Sequence, residues 1–125
     1  MNVISRFAIF VDGPNRGWMN IPGELTKELI VDPERKRVII PGQPLEDAVA
    51  TTYTAICSRV VKLTKPEVTD EYGIEIQYYS QLDPVFRPRK VDIERDDEVK
   101  AIEEDVYTFV RNAMAQVMAT NVPEA

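Results

Sequence analysis

From Val3 the chain turns increasingly apolar, reaching the unbroken run Phe7-Ala8-Ile9-Phe10-Val11 before it stops at Asp12-Gly13-Pro14. A short apolar stretch bounded by turn formers predicts a buried strand, here Val3–Val11. Residues 13–24 hold Gly13, Pro14, Gly17, Pro22 and Gly23, too many breakers for a regular element, and predict a long ordered loop carrying Trp18, Met19 and Ile21. Glu28–Ile40 contains two β-branched runs about Asp32-Pro33, which suits the first positions of a type I turn, so a hairpin is expected that ends at Pro41-Gly42.

From Pro44 to Leu63 the apolar residues Leu45, Val49, Tyr53, Ile56, Val60 and Leu63 recur at steps of three and four, the spacing of one helix face, with Pro66 as terminator. Ile74, Ile76 and Tyr78 then alternate with Glu75, Gln77 and Tyr79, as in a strand buried on one face. After a turn at Leu82-Asp83-Pro84, Val85–Ile93 reads as a returning strand, and Pro88 places it at a sheet edge or a bulge because proline cannot donate to a ladder. Asp96 or Asp97 caps a final helix to about Thr120, striped by Val99, Ile102, Val106, Phe109, Val110, Ala113 and Val117. The order β-ββ-α-ββ-α predicts an α+β fold: a mainly antiparallel sheet of about five strands with two helices on one face. The expected organisation is a single domain over residues 1–120 with a short tail at 121–125.

Composition narrows the chemistry. The chain of 125 residues has no histidine, which removes the usual general base near neutral pH, the commonest metal ligand and every Ser-His or Cys-His arrangement. Its one cysteine, Cys57, allows no internal disulfide and no cysteine-rich zinc site, and its apolar neighbours suit a small buried hydrophobe. No cofactor is expected. Phe7–Val11 is far short of a membrane span, and the N-terminus lacks the pattern of a secretory signal, so no membrane partner and a cytoplasmic location are the expectation. A formal net charge of −6 weakens attraction to nucleic acid, which is therefore not the favoured partner.

Two constellations stand out. Phe10-Val11-Asp12-Gly13-Pro14-Asn15 resembles the opening motif of the NYN and PIN-like ribonucleases, in which a strand ends in an Asp-Gly-x-Asn turn. The resemblance implies a divalent metal at Asp12 and an orienting role for Asn15. The later Ser-Gly-Asp-x-Asp segment of that family has no counterpart here, and residues 16–22 do not form the helix that normally follows. The competing reading has Asp12 and Asn15 hydrogen-bonding their own turn, with no catalytic residue and no metal. Arg87-Pro88-Arg89-Lys90 is the one concentrated basic stretch, suited to an acidic protein surface, to phosphate, or to guarding a sheet edge against aggregation.

The acidic stretch Asp92–Asp105 is explained by helix capping and a solvated face. What remains is interaction chemistry. Trp18, Met19 and Ile21 on a loop, with Arg87, Arg89 and Lys90 on an edge strand, predict a partner-binding surface. The expected function is a non-enzymatic interaction or structural subunit of a larger assembly, self-associating or docked in a multi-protein complex. A virion-type particle is one instance.

Overall fold

The computed structural model describes residues 2–32, 34, 37–39, 50–63 and 72–120. Strands β1 (Asn2–Phe10), β2 (Gly17–Asn20), β3 (Glu28–Asp32), β4 (Arg37–Val38), β5 (Thr51–Leu63) and β6 (Tyr72–Ser80) precede helices α1 (Lys90–Glu94) and α2 (Asp97–Thr120). The strands form one sheet in the order β2-β1-β6-β5-β3-β4. β1 and β6 run parallel, with Phe7 opposite Ile76 and Phe10 opposite Tyr79, and every other pairing is antiparallel. The mixed α+β architecture on a mainly antiparallel sheet is thus present.

Both faces of the central strands are buried. Phe7 and Ile9 of β1, followed by Val11, join Ile74, Ile76 and Tyr78 of β6 beneath Ile93 of α1 and Val99, Val106 and Val110 of α2. Ala8 and Phe10 point the other way, into a second cluster with Leu29, Val31, Tyr53 and Tyr79. No helix covers that second cluster among the described residues; the sheet curls over it. The curl brings Phe10 of β1 within 4.6 Å of Tyr53 of β5, ring centre to ring centre, although β6 lies between their strands. Burial on both faces explains why β1 reads as a continuous apolar run rather than an alternation.

Three expectations are corrected. The helix expected over Pro44–Leu63 is replaced, over its described part, by β5, and residues 44–49 lie outside the described residues. Thr51, Thr52, Tyr53, Thr54, Ile56, Val60 and Val61 are β-branched or aromatic and favour a pleated surface. The step of three from Tyr53 to Ile56 crosses a register shift between Ala55 and Cys57, and the next residue of the series, Val60, is exposed. Such a bulge inserts one extra residue and flips the faces that follow it, so Tyr53 and Ala55 pack in one cluster while Ile56, Cys57 and Val61 pack in the other.

The strand expected over Val85–Ile93 is replaced by a turn followed by α1. Asp83 accepts the Phe86 N–H at 2.8 Å, and Asp92 accepts the Arg89 N–H at 2.9 Å, which starts the helix where a strand was expected. Arg87, Arg89 and Lys90 therefore do not lie on an edge strand. The loop expected over residues 13–24 contains β2, which pairs with β1 through Ile9 opposite Trp18 and Ala8 opposite Met19.

The hairpin at Glu28 is present as β3 and β4, its Pro33 and Pro41-Gly42 outside the described residues, as are Pro66 and the tail 121–125. α2 begins as its sequence indicates, with Asp96 Oδ1 accepting the N–H groups of Glu98 at 2.9 Å and Val99 at 3.4 Å. Among the described residues no helix is long and apolar enough to cross a membrane.

Candidate functional site

Because β1 and β6 are parallel, they end side by side, and the residues just past them form a closed hydrogen-bonded knot. Val11 N–H donates to the Tyr79 carbonyl at 3.0 Å, continuing the ladder by one step. Asp12 then turns its carboxylate onto the end of β6: Oδ2 accepts the Ser80 hydroxyl at 2.5 Å, and Oδ1 accepts the Gln81 N–H at 2.9 Å. Ser80 is fully buried, and its Oγ in turn accepts the Leu82 N–H at 3.1 Å.

On the other side the Tyr53 hydroxyl, from β5, donates to the Asp12 carbonyl at 3.0 Å and accepts the Asn15 N–H at 3.1 Å. Burial pushes the Tyr53 phenol above its ordinary range, partly offset by that amide. Gly13 is required here. Its φ is +79°, and a Cβ would lie 2.6 Å from the Tyr53 hydroxyl.

The knot brings Asp12 and Asn15 together, but with a hydroxyl, backbone amides and a phenol around them. Among the described residues no group of three or more histidine, cysteine or acidic side chains is placed to hold a metal ion. Both Asp12 oxygens are engaged in tying two strand ends, and this arrangement locks a turn. The Asn15 amide oxygen is buried with no hydrogen-bond partner among the described residues.

The apolar residues after the knot are divided by the pleat of β2. Trp18 faces α2, its ring 5.9 Å from Phe7 and 5.1 Å from Phe109, centre to centre. Met19 and Ile21 face the second cluster. β2 and β4 are opposite edges of the sheet, yet the curl sets them along one groove of about 620 Å³, lined by Trp18, Met19, Ile21, Pro22, Arg37 and Val38. Trp18 thus packs against the domain's own core with one part of its ring and borders open space with another.

Among the described residues the most exposed apolar side chains lie elsewhere, on the turn after β6. Val85 is 88% and Phe86 71% accessible, with Leu82 exposed beside them in the chain. This turn is braced. Besides the Asp83–Phe86 bond, the Arg87 guanidinium donates to the Leu82 carbonyl at 2.8 Å and to Thr54 Oγ1 at 3.4 Å. Arg87 is therefore committed inward, whereas Arg89 and Lys90 stand exposed next to the turn, Arg89 with Asp92 at 3.7 Å. The sequence reading missed Val85 and Phe86 by assigning them to a strand. Two large apolar residues directly after Asp83-Pro84 and just before Pro88 are the signal that could have found them.

A smaller cavity of about 150 Å³ lies where α1 and α2 meet β5 and β6, with Cys57, Tyr78, Lys90 and Lys100 in its wall. Arg59 pairs with Glu103 across it at 3.1 Å. Burial pushes both the Cys57 thiol and the Tyr78 phenol upward, Cys57 against the pull of Lys90, so the thiol is less nucleophilic than a free one. Comparison with known protein families, with curated proteins and with solved structures finds no match to this chain.

Proposed function

We propose that the protein is a non-catalytic interaction subunit that works by contact between protein surfaces, self-association first among them. The observation that carries this reading is the braced turn holding Val85 and Phe86 in solvent. Scattered exposed hydrophobics are ordinary on a soluble protein. Here, however, Leu82, Val85 and Phe86 fall within one short turn whose shape is fixed by the Arg87 guanidinium, so little ordering entropy remains to be lost on binding.

An aromatic anchor beside exposed cations, Arg89 and Lys90, has the make-up of an interface core with a polar rim. The net charge of −6 makes a second copy of the chain an acidic partner for those cations, and disfavours nucleic acid. A symmetric particle, virion-type or other, is one form that such an assembly takes. Native mass spectrometry at micromolar concentration tests the reading: dimers or higher species are expected, and a chain that stays strictly monomeric as concentration rises contradicts it.

A further inference from the structure

We propose that the cavity where α1 and α2 meet β5 and β6 is a binding site for a small organic anion, an apolar body of about one six-membered ring carrying a carboxylate. This goes beyond the subunit reading and does not depend on it. At about 150 Å³ the cavity is of the size that admits a benzene-sized body. Ile93 and Cys57 supply apolar wall, and the charged lining holds three cations, Arg59, Lys90 and Lys100, against two acids, Glu94 and Glu103. A local excess of positive charge, in a chain whose formal net charge is −6, favours an anion.

The hydrogen-bonding groups carry the same sign. Glu103 is already engaged, accepting from Arg59 at 3.1 Å and from the Tyr107 hydroxyl at 3.5 Å, and Glu94 stands exposed on α1. Tyr78, only 2% exposed, lines the cavity from β6. Its hydroxyl accepts from the Arg59 guanidinium, and its own proton meets no acceptor among the described residues. A buried hydroxyl proton without an acceptor is costly, and an anionic oxygen in the cavity supplies one. Lys90, the first residue of α1, makes no ion pair among the described residues, and its charge is felt at the Cys57 thiol on the cavity wall. Lys100 is held loosely, 3.7 Å from Asp97. The carboxylate is thus assigned to the Tyr78 hydroxyl and Lys90, and the ring to Ile93 and Cys57.

The test titrates the isotope-labelled protein with benzoate and follows its amide chemical shifts. Benzoate is expected to bind saturably, with shifts centred on Cys57, Tyr78 and Lys90, and benzamide, its uncharged counterpart, to bind about tenfold more weakly. Tyr78→Phe keeps the buried ring and removes the donor, and Lys90→Met removes the unpaired charge at an exposed position, where the fold is not at stake. Each is expected to weaken benzoate by about tenfold. Arg111→Met removes the same charge from an exposed position outside the cavity and is expected to leave binding unchanged. No saturable shift at these residues, equal binding of benzoate and benzamide, or full affinity in Lys90→Met overturns the assignment. None of these outcomes bears on self-association, which sedimentation reads separately.

Discussion

Gly13→Ala isolates the contact that closes the end of the sheet. An alanine at φ +79° occupies the left-handed region at a cost of about 1 kcal/mol. Its Cβ would also sit 2.6 Å from the Tyr53 hydroxyl and within 2.9 Å of Gln81 side-chain atoms. Gln81 is exposed and can swing aside. Tyr53 is fully buried and held by the Asp12 carbonyl and the Asn15 amide, so moving it breaks two hydrogen bonds worth about 1 kcal/mol each. The sum is about 3 kcal/mol.

Gly23→Ala is the control, because Gly23 also has positive φ, +104°, but no atom lies within 4 Å of its Cβ position. That substitution is expected to cost only the conformational part, about 1 kcal/mol. Urea unfolding with linear extrapolation measures both, and Gly13→Ala in a Tyr53→Phe background, where the hydroxyl is gone, is expected to recover most of the excess. Equal destabilisation by the two glycine variants, or no recovery in the Tyr53→Phe background, refutes the knot as described.

Asp12→Ala strands the buried Ser80 hydroxyl and the Gln81 amide, and is expected to lower stability by about 2–4 kcal/mol, with Asp12→Asn costing less; urea midpoints check this. Trp18→Ala removes ring contacts to Phe7 and Phe109, so the isolated domain is expected to lose about 2–4 kcal/mol and melt earlier, an effect that a purely interfacial tryptophan would not show. Burial raises the phenol groups of Tyr53, Tyr78 and Tyr79 in the folded state. The unfolded chain, whose tyrosines titrate near pH 10, therefore releases protons first: their contribution is complete below about pH 10 and is lost as pH rises above it. Melting temperature followed into alkaline solution should fall beyond that point, and a flat profile would count against the burial of these rings.

The elements legible in the sequence were those whose signal is local. The apolar run of β1 is buried on both of its faces and the stripe of α2 packs on one, and Asp96 caps α2 through amides two and three residues away. β5 shows no clean period of two because a bulge at Ala55–Cys57 moves burial from the face of Tyr53 to the face of Ile56. Its threonines and valines carried the opposing signal. The parallel pairing of β1 with β6 has no local trace at all, since it joins residues about seventy positions apart.

The same limit governs the sites. Asp12 stood out at its strand end, but its partners Ser80 and Gln81 come from 68 and 69 positions away, and these partners make it a clasp. Trp18 is expected from the sequence to bind a partner, and the sequence has no local sign that Phe109, ninety-one positions on in α2, packs beside its ring.

The central claim, that this chain acts by self-association through the turn after β6, is met most directly by sedimentation velocity of the unaltered protein beside a Val85→Ser, Phe86→Ser double variant over a rising micromolar series. Both side chains are largely in solvent, so the variant is expected to fold and melt like the unaltered chain. The account predicts concentration-dependent association of the unaltered protein and its loss in the variant. Identical sedimentation of the two, whether both as monomers or both as the same oligomer, would contradict it.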